Sequence, residues 1–516
     1  MAEKLLLYQR LAFSMGHIQN DLLASMWFSY LLVYLHQVRH FDSVYTGTLL
    51  LVGQVVDGIT TALVGFQSDA TNGCFGYTKR KSWHLFGTLC TTLTFPFIFS
   101  PVLGATSTTP AYAIFIYYSA FVTIFQIGWA CIQNSQLSLI PELTSDASEI
   151  AGLNGWMYAG TGFSNLLMYS LAWAILCSGG KNVDSNNLTV EDSDHFQNLG
   201  IALTLIGLFF SVVFHVSVRE SRHDGHSQGC ASNSNDDNAD EDDKDDTVWL
   251  KKTKKKIIDS ADKETTESGR KNVCEWFTDC RFYQVALVYM CTRLFVNISQ
   301  VYLPMYLTET VHLDKATIAN VPLACYASSF VMAIVLKVVD RRLGRMLTYV
   351  LGVALAVVGT VFLYLIPAKV AWMVYITVVF IGIGGALMQT TALSIVADLI
   401  GDSVTSGAFV YGSISFVDKV ANGAAVEIIE ILHPCKNCCP ACEPYFRVVQ
   451  SVVPGVAALV GLTILLSLNF NFFTTWRGAE VSVSKATMDQ VPFSYGSAVK
   501  NQTSLPVCNL EDISKD

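Results

Sequence analysis

Long apolar segments recur along this chain, and they constrain its fold more than any other feature of the sequence. Each spans about 20 residues or more, which is enough to cross the roughly 30 Å hydrocarbon core of a membrane as a helix. A helix is required because backbone polar groups in lipid must be hydrogen-bonded within the segment. The segments lie at residues 11–37, 45–66, 83–102, 111–133, 151–177, 199–218, 281–308, 316–338, 346–366, 371–397, 405–432 and 446–470. The sequence therefore predicts an all-α membrane protein with twelve transmembrane helices.

The amino-acid composition agrees with a lipid environment. Of the 516 residues, 52% are hydrophobic and 15% are charged, whereas a soluble protein carries about 25% charged residues. The net charge of −9 comes largely from one acidic loop, so it does not indicate a nucleic-acid partner. The sequence contains no phosphate loop, nucleophile elbow or metalloprotease motif. We therefore predict no enzyme activity, no metal site and no bound cofactor.

One internal segment differs in composition from the rest of the chain. It holds the Asn- and Asp-rich run Asn233–Asp246 and then the basic run Lys251–Lys256. Such a segment cannot bury enough apolar surface to fold alone. We predict four parts: an N-terminal six-helix half (1–218), a disordered cytosolic linker (219–280), a C-terminal six-helix half (281–475) and a cytosolic tail (476–516).

A weak internal repeat relates the two predicted halves. Ser138–Leu143, followed by Asp146, resembles Ser394–Leu399, followed by Asp402. The copies are 256 residues apart (394 minus 138) and both lie at the end of the fourth helix of a half. Parallel repeats of six helices are typical of the major facilitator architecture, so the sequence favours that fold.

The distribution of Lys and Arg predicts the orientation in the membrane. With both termini in the cytosol and the linker left out, cytosolic segments carry 13 basic residues and the opposite side carries 6, as the positive-inside rule expects. Asn187, in an Asn-Leu-Thr glycosylation pattern, then lies outside the cytosol. A cysteine cluster lies on the same side, formed by Cys435, Cys438, Cys439 and Cys442. Its spacing could suit zinc, but in an oxidising lumen two disulfides are favoured.

Ionisable and strongly polar residues inside the predicted spans mark a candidate solute pathway, because such groups are costly in lipid unless they are paired or hydrated. On helices 1, 2, 7 and 11 these residues share one helical face. The primary candidates are Asp21, Asp57, Arg293, Asn297, Lys419 and Asn422. The secondary candidates are His17, Gln54, Thr61 and Asp418. In a major facilitator bundle these four helices border the central cavity, so we predict the pathway there.

Two of these groups also have purely structural interpretations. His17 can serve helix packing, and Asp418 can form an ion pair that only holds helices together. Near the predicted lumenal end of the eleventh helix, Glu427 and Glu430 are expected to be hydrated.

The position of Asp57 predicts an ion pair inside the helix bundle. Asp57 lies in the middle of its span without a basic neighbour in the sequence. We therefore expect Arg293 or Lys419 to be its partner. Asp57 and Lys419 are placed at mid-membrane, with Asp21 and Arg293 nearer either end of the cavity.

Several segments of the sequence together resemble one specific family. The resemblance covers nearly the whole chain except the linker and both tails. The segments are Asn20–Phe28, Phe95–Pro101, Leu137–Leu143, Asn297–Leu303, Ala397–Gly401, Ser406–Ser413, Asp418–Gly423 and His433–Cys435. They resemble a branch of the major facilitator superfamily that belongs with the glycoside–pentoside–hexuronide cation symporters of melibiose-carrier type. The resemblance implies a secondary transporter, expected to be a monomer, that imports cysteine from the cytosol into lysosomes or melanosomes.

The chain departs from the sugar symporters at positions that matter for coupling. Their second helix has an arginine where this chain has Gln54, and an Asp-Pro pair where it has Thr61 and Ala62, so only Asp57 remains of the cation-holding carboxylates. Met157 replaces a fifth-helix arginine. The resemblance with these departures favours a proton over sodium as coupling ion. The alternatives are sugar–cation symport, a non-transporting scaffold, and location in the plasma membrane.

Overall fold

The computed structural model describes residues 6–70, 77–106, 108–144, 147–177, 188–218, 273–367, 370–400, 404–434 and 442–468. The predicted tail, most of the predicted linker, Asn187, Cys435, Cys438 and Cys439 lie outside these ranges. Cys442 is described and lies buried at the start of the last helix. The disulfides and the glycosylation therefore stay predictions.

The first half of the described chain consists of long helices joined by short connections. Apolar residues make up most of each helix, as a segment that faces lipid requires. The helices are α1 (Leu7–Val33), α2 (Ser43–Ala70), α3 (Lys79–Ile98), α4 (Ala111–Leu143), α5 (Ala147–Cys177) and α6 (Ser193–Ser217).

The second half repeats this pattern after a short helix, Val273–Thr278. Its long helices are α7 (Cys280–Met305), α8 (Thr317–Leu343), α9 (Arg345–Leu365), α10 (Ala371–Ile400), α11 (Val404–Ile431) and α12 (Cys442–Ser467). Each of the predicted spans overlaps one of these helices. Most ends differ by up to six residues, while α4 continues to Leu143, ten residues beyond its predicted end. The all-α fold is confirmed, while the boundaries of halves, linker and tail stay predictions.

Length and composition alone identify fewer membrane spans than helices. Within the described residues, eight helices are long and apolar enough to cross a membrane, namely α2, α4, α6, α7, α8, α9, α10 and α12. Helices α1 and α11 are not among them, and these two carry many of the buried polar residues described below. Buried polar and charged side chains lower the apolar content of α1 and α11.

Helices α1 and α7 end in the same way, which relates the two halves. Each continues into one turn of π-helix, at Tyr34–Val38 and Tyr306–Thr310. A histidine with a positive φ follows each turn, His40 at 50° and His312 at 56°. A residue in this left-handed region turns the chain away from the helix axis. The copies are 272 residues apart (306 minus 34).

Two glycine pairs produce equivalent close helix crossings. Between α3 and α4, a Cβ atom on Gly87 would lie 2.5 Å from the carbonyl oxygen of Gly128. Between α9 and α10, a Cβ atom on Gly384 would lie 2.7 Å from the carbonyl oxygen of Gly352. Small residues let membrane helices approach at the backbone. Gly128 and Gly384 are 256 residues apart (384 minus 128), the offset of the sequence repeat.

Each half has an ion pair at the end where its odd-numbered helices begin, an end that we call the basic end. Arg80 of α3 and Glu142 of α4 are 2.9 Å apart, and Arg345 of α9 pairs with Asp398 of α10. Glu142 and Asp398 occupy the same position of the 256-residue repeat. The sequence predicts that the basic end faces the cytosol.

Three helix pairs join the two halves. Helix α2 packs along α11, α5 packs along α8, and α1 lies against α7. The polar faces of α1, α2, α7 and α11 therefore meet between the halves, and this meeting positions the candidate site.

Candidate functional site

Four charged residues predicted for the pathway lie near the midpoints of their helices. They are Asp21 of α1, Asp57 of α2, Arg293 of α7 and Lys419 of α11. Because α2 packs along α11 and α1 lies against α7, these midpoints come together between the two halves, at the depth where charge is most costly.

Asp57 and Lys419 form an ion pair across the interface between the halves. The Lys419 Nζ lies 2.7 Å from the Asp57 Oδ1 and donates a hydrogen bond of 2.9 Å to the Thr61 Oγ1. The Thr61 hydroxyl donates in turn to the Asp57 Oδ1 at 3.1 Å. The two charged side chains are 6% and 12% exposed, so each charge depends on the other for stabilisation. This triangle is one of the direct links between the halves at mid-membrane.

Arg293 and Asp418 form a second ion pair beside the first, within the second half. The Arg293 Nε lies 3.2 Å from the Asp418 Oδ2, and the Asn422 Nδ2 donates to the Asp418 Oδ1 at 2.6 Å. Asp418 also interacts electrostatically with Lys419 and Asp57. Arg293 thus lies at the level of Lys419, and the expectation that it lies nearer one end of the cavity is wrong.

Asp21 occupies the position in α1 that Arg293 occupies in α7, 272 residues apart (293 minus 21). Its Oδ2 accepts a hydrogen bond of 2.8 Å from the Thr161 hydroxyl of α5 and lies 3.1 Å from the His17 Nδ1. The contact between α1 and α5 through Asp21 thus parallels the contact between α7 and α11 through Arg293. His17 has a carboxylate partner rather than only an apolar environment.

The other predicted residues are buried close to these pairs. Gln54 of α2 lies against Gly423 of α11, where a Cβ atom would be 3.1 Å from the Gln54 Cβ. Asn297 is one helical turn beyond Arg293 and is buried. Asn20, which precedes Asp21 in α1, has a buried side-chain oxygen without a hydrogen-bond partner in the described part of the chain.

The sequence interpretation missed the contribution of α5. Ser29 of α1 shares a hydrogen bond of 2.5 Å with the Tyr169 hydroxyl and accepts one of 3.0 Å from the Gln300 Nε2 of α7. Thr161, Asn165 and Tyr169 follow one another at four-residue spacing on α5, which places them on one helical face. This four-residue spacing of polar side chains was the signal in the sequence that could have identified the polar face of α5.

Polar contacts between the halves also gather at the end opposite the basic end. We call this set of contacts the seam. Its contacts are Gln37 Nε2 to Glu309 Oε1 at 2.6 Å, Lys315 Nζ to Asp192 Oδ1 at 2.9 Å, and Thr48 Oγ1 to Glu427 Oε1 at 3.0 Å. At the basic end, the ion pairs of the described residues join helices of the same half. In this structure, then, the halves are held together at the predicted lumenal end.

The charges at mid-membrane balance one another. Asp57, Lys419, Asp418 and Arg293 together contribute two negative and two positive charges. Arg293 uses its Nε for Asp418, its side chain is 28% exposed, and its terminal nitrogens make no hydrogen bond to the described residues. A guanidinium with free terminal nitrogens can bind a carboxylate through two parallel hydrogen bonds. The site can therefore exchange internal partners for the opposite charges of a bound zwitterion.

Two family models match the chain. The model described as MFS/sugar transport protein matches residues 12–235, and the model of the Major Facilitator Superfamily matches residues 127–418. Together these matches include most of α1, all of α2 to α10 and the first half of α11.

The chain is also similar to a curated protein and to solved structures. Human major facilitator superfamily domain-containing protein 12 is 40% identical over 482 residues, which are 90% of this chain and 93% of that protein. A D-xylose–proton symporter aligns with a TM-score of 0.63 and 13% identity over 88% of this chain and 96% of its own. The inward-open xylose transporter XylE from Escherichia coli aligns with a TM-score of 0.60 and 15% identity over 88% and 94%. The two structures show a common fold.

Proposed function

Since this chain belongs to the major facilitator superfamily and is a transporter related to major facilitator superfamily domain-containing protein 12, we propose that it imports cysteine from the cytosol into lysosomes or melanosomes. The observation that carries the proposal is the ion pair between Asp57 and Lys419, 2.7 Å long, beside the pair between Arg293 and Asp418. A free amino acid carries one ammonium and one carboxylate, so it can bind to these four groups without leaving a charge unpaired.

The two poles of the amino acid bind different groups. The carboxylate binds the terminal nitrogens of Arg293, whose side chain is the most exposed of the four charged groups. The ammonium binds Asp57 or Asp21. At Asp57 it takes the place of the Lys419 Nζ, and the Lys419 ammonium, the other candidate group for the carboxylate, then pairs with that carboxylate. When the solute leaves, Lys419 returns to Asp57, and the empty site again has no unpaired charge.

The same geometry supports a proton rather than sodium as coupling ion. In the sugar symporters the second-helix carboxylates hold a cation, whereas here the Lys419 ammonium lies 2.7 Å from Asp57. A resident ammonium competes directly with a metal cation for the carboxylate oxygen. This argument also disfavours sugar–cation symport, because a neutral sugar supplies no charge to replace Lys419.

Uptake of radiolabelled cysteine into isolated lysosomes tests the function. Organelles from cells that express the chain are expected to accumulate cysteine saturably, about tenfold or more above organelles that lack it, a difference corresponding to roughly 1.4 kcal/mol. Unlabelled cysteine is expected to compete, while melibiose is not. Uptake of labelled melibiose instead would support sugar symport, and no uptake of either solute would support a scaffold.

The orientation of the chain in the membrane can be tested in the same organelles. We expect protease added to intact organelles to remove an epitope tag at the C-terminus, because basic residues retain both termini in the cytosol. Asn187→Gln is expected to abolish a glycosidase-sensitive mobility shift, whereas Asn501→Gln, in the cytosolic tail, leaves it intact. A C-terminal tag protected from protease would reverse the orientation, and surface biotinylation of most of the protein would place it in the plasma membrane.

A further inference from the structure

One buried carboxyl group in the described part of the chain lacks the partner that the others have. Six acidic side chains there are at most 9% exposed. Five of them lie within 4.0 Å of a basic side chain, namely Asp21, Asp57, Glu149, Asp192 and Asp418. The sixth is Glu430 of α11, which is 2% exposed and forms no ion pair with a described residue. The sequence expectation that Glu430 is hydrated is wrong.

The groups around Glu430 are neutral or acidic. The Tyr302 hydroxyl of α7 donates a hydrogen bond of 2.9 Å to the Glu430 Oε1. Glu427, one turn earlier on α11, and Tyr445 of α12 interact with it electrostatically. His433 approaches through its backbone N–H, 3.3 Å from the Glu430 carbonyl oxygen.

Helix α2 covers Glu430 from the other half of the molecule. A Cβ atom on Gly47 would lie 2.8 Å from the Glu430 Cβ, so the helices approach closely there. The Ser43 hydroxyl donates to the Glu430 carbonyl oxygen at 3.4 Å. Because α2 belongs to the first half and α11 to the second, parting the halves at the seam would expose this carboxyl group to water.

An ionised carboxylate in this environment would be costly. Removing it from water without a cation costs several kcal/mol, and the nearby carboxyl of Glu427 adds repulsion. A protonated carboxyl group avoids this cost, and its carbonyl oxygen can still accept the Tyr302 hydrogen bond. The closed seam is therefore compatible with a neutral Glu430.

We propose that Glu430 is a proton-binding switch of the seam, which holds a proton while α2 and α11 meet there and releases it to the water at the same end when they part. The carboxylate takes up one proton from the aqueous phase at this end as the seam closes. Acidification at this end therefore favours the closed seam. The proton is taken up and released at the same end, so Glu430 makes closure of the seam depend on pH without carrying a proton across the membrane. The proposal rests on the proposed transport function and adds to it this pH dependence.

Two measurements on the purified, reconstituted protein test this assignment. The first is infrared difference spectroscopy between neutral and alkaline pH, which needs no substrate. Wild-type protein is expected to show the C=O stretch of a buried protonated carboxylic acid at neutral pH, and Glu430→Gln is expected to lose that band. The second is exchange of radiolabelled cysteine in proteoliposomes, measured while the pH is varied on the side that the seam faces. Wild-type exchange is expected to change about tenfold between acid and alkaline pH on that side, roughly 1.4 kcal/mol, whereas Glu430→Gln is expected to lose this dependence.

Glu427→Gln is the matched control, because Glu427 is a neighbouring carboxyl group that is hydrogen-bonded by Thr48. It is expected to keep both the infrared band and the pH dependence of exchange. If Glu430→Gln does not fold, Tyr302→Phe removes the hydrogen bond to the same carboxyl and is expected to shift the band. An unchanged band in these variants, or the wild-type pH dependence of exchange in Glu430→Gln, overturns the proposal. Wild-type protein that shows the band without moving cysteine refutes the cysteine function and leaves the protonation of Glu430 standing.

Discussion

Lys419→Met is expected to reduce the transport of cysteine about a hundredfold. The substitution leaves Asp57 buried at mid-membrane without its partner at 2.7 Å. Stranding a buried charge costs on the order of 3 kcal/mol or more, and 3 kcal/mol corresponds to roughly a hundredfold in an equilibrium constant. The measurement is uptake of radiolabelled cysteine into proteoliposomes, normalised to reconstituted protein.

A double variant separates a transport role from a structural one. Asp57→Asn combined with Lys419→Met removes both charges, so it is expected to recover folded protein on size-exclusion chromatography while transport stays low. The matched control neutralises the pair of Arg10 and Glu149, 2.8 Å long and contained within one half, and is expected to retain transport. Transport at the wild-type rate by the double variant would show that the mid-membrane charges only hold helices together.

Gly384→Val is expected to cause a large loss of stability in the second half. A Cβ atom there would lie 2.7 Å from the carbonyl oxygen of Gly352 and 2.8 Å from the backbone nitrogen of Ala356. Neither is the end of a flexible side chain, so α9 and α10 must separate. Overpacking of this kind costs on the order of 3 kcal/mol. The melting temperature in detergent and the yield of monodisperse protein are the measurements.

Gly155→Val in α5 serves as the control, because no atom lies within 4 Å of a Cβ atom built at that position. Both substitutions add the same side chain to a glycine in a helix. A Gly384→Val protein as stable as Gly155→Val would show that the crossing of α9 and α10 tolerates a wider spacing. Gly128→Val, at the equivalent crossing of α3 and α4, is expected to behave like Gly384→Val.

Charged residues inside apolar segments could be found from the sequence because they contrast with their surroundings. Asp57 and Lys419 stand out because they lie in spans that are otherwise mostly apolar. The high free-energy cost of an unpaired charge in the membrane marks them as candidates. Thr161 gave a weaker signal, since a hydroxyl in a membrane helix can bond to its own backbone, as this one also does to the Met157 carbonyl. Glu430 was misread because its position near a helix end suggested hydration, whereas α2 covers it.

The sequence by itself determined the helices, the repeat of six and the residues that carry charge. These properties depend on composition and on the 256-residue offset, which are local or periodic and therefore visible along the chain. Only the tertiary structure decided which charges meet. Lys419 bonds to Thr61, which is 358 positions away, because α2 and α11 pack together, and no local pattern encodes that contact. The burial of Glu430 and the closed seam have the same origin, since both depend on how two separately encoded halves come together.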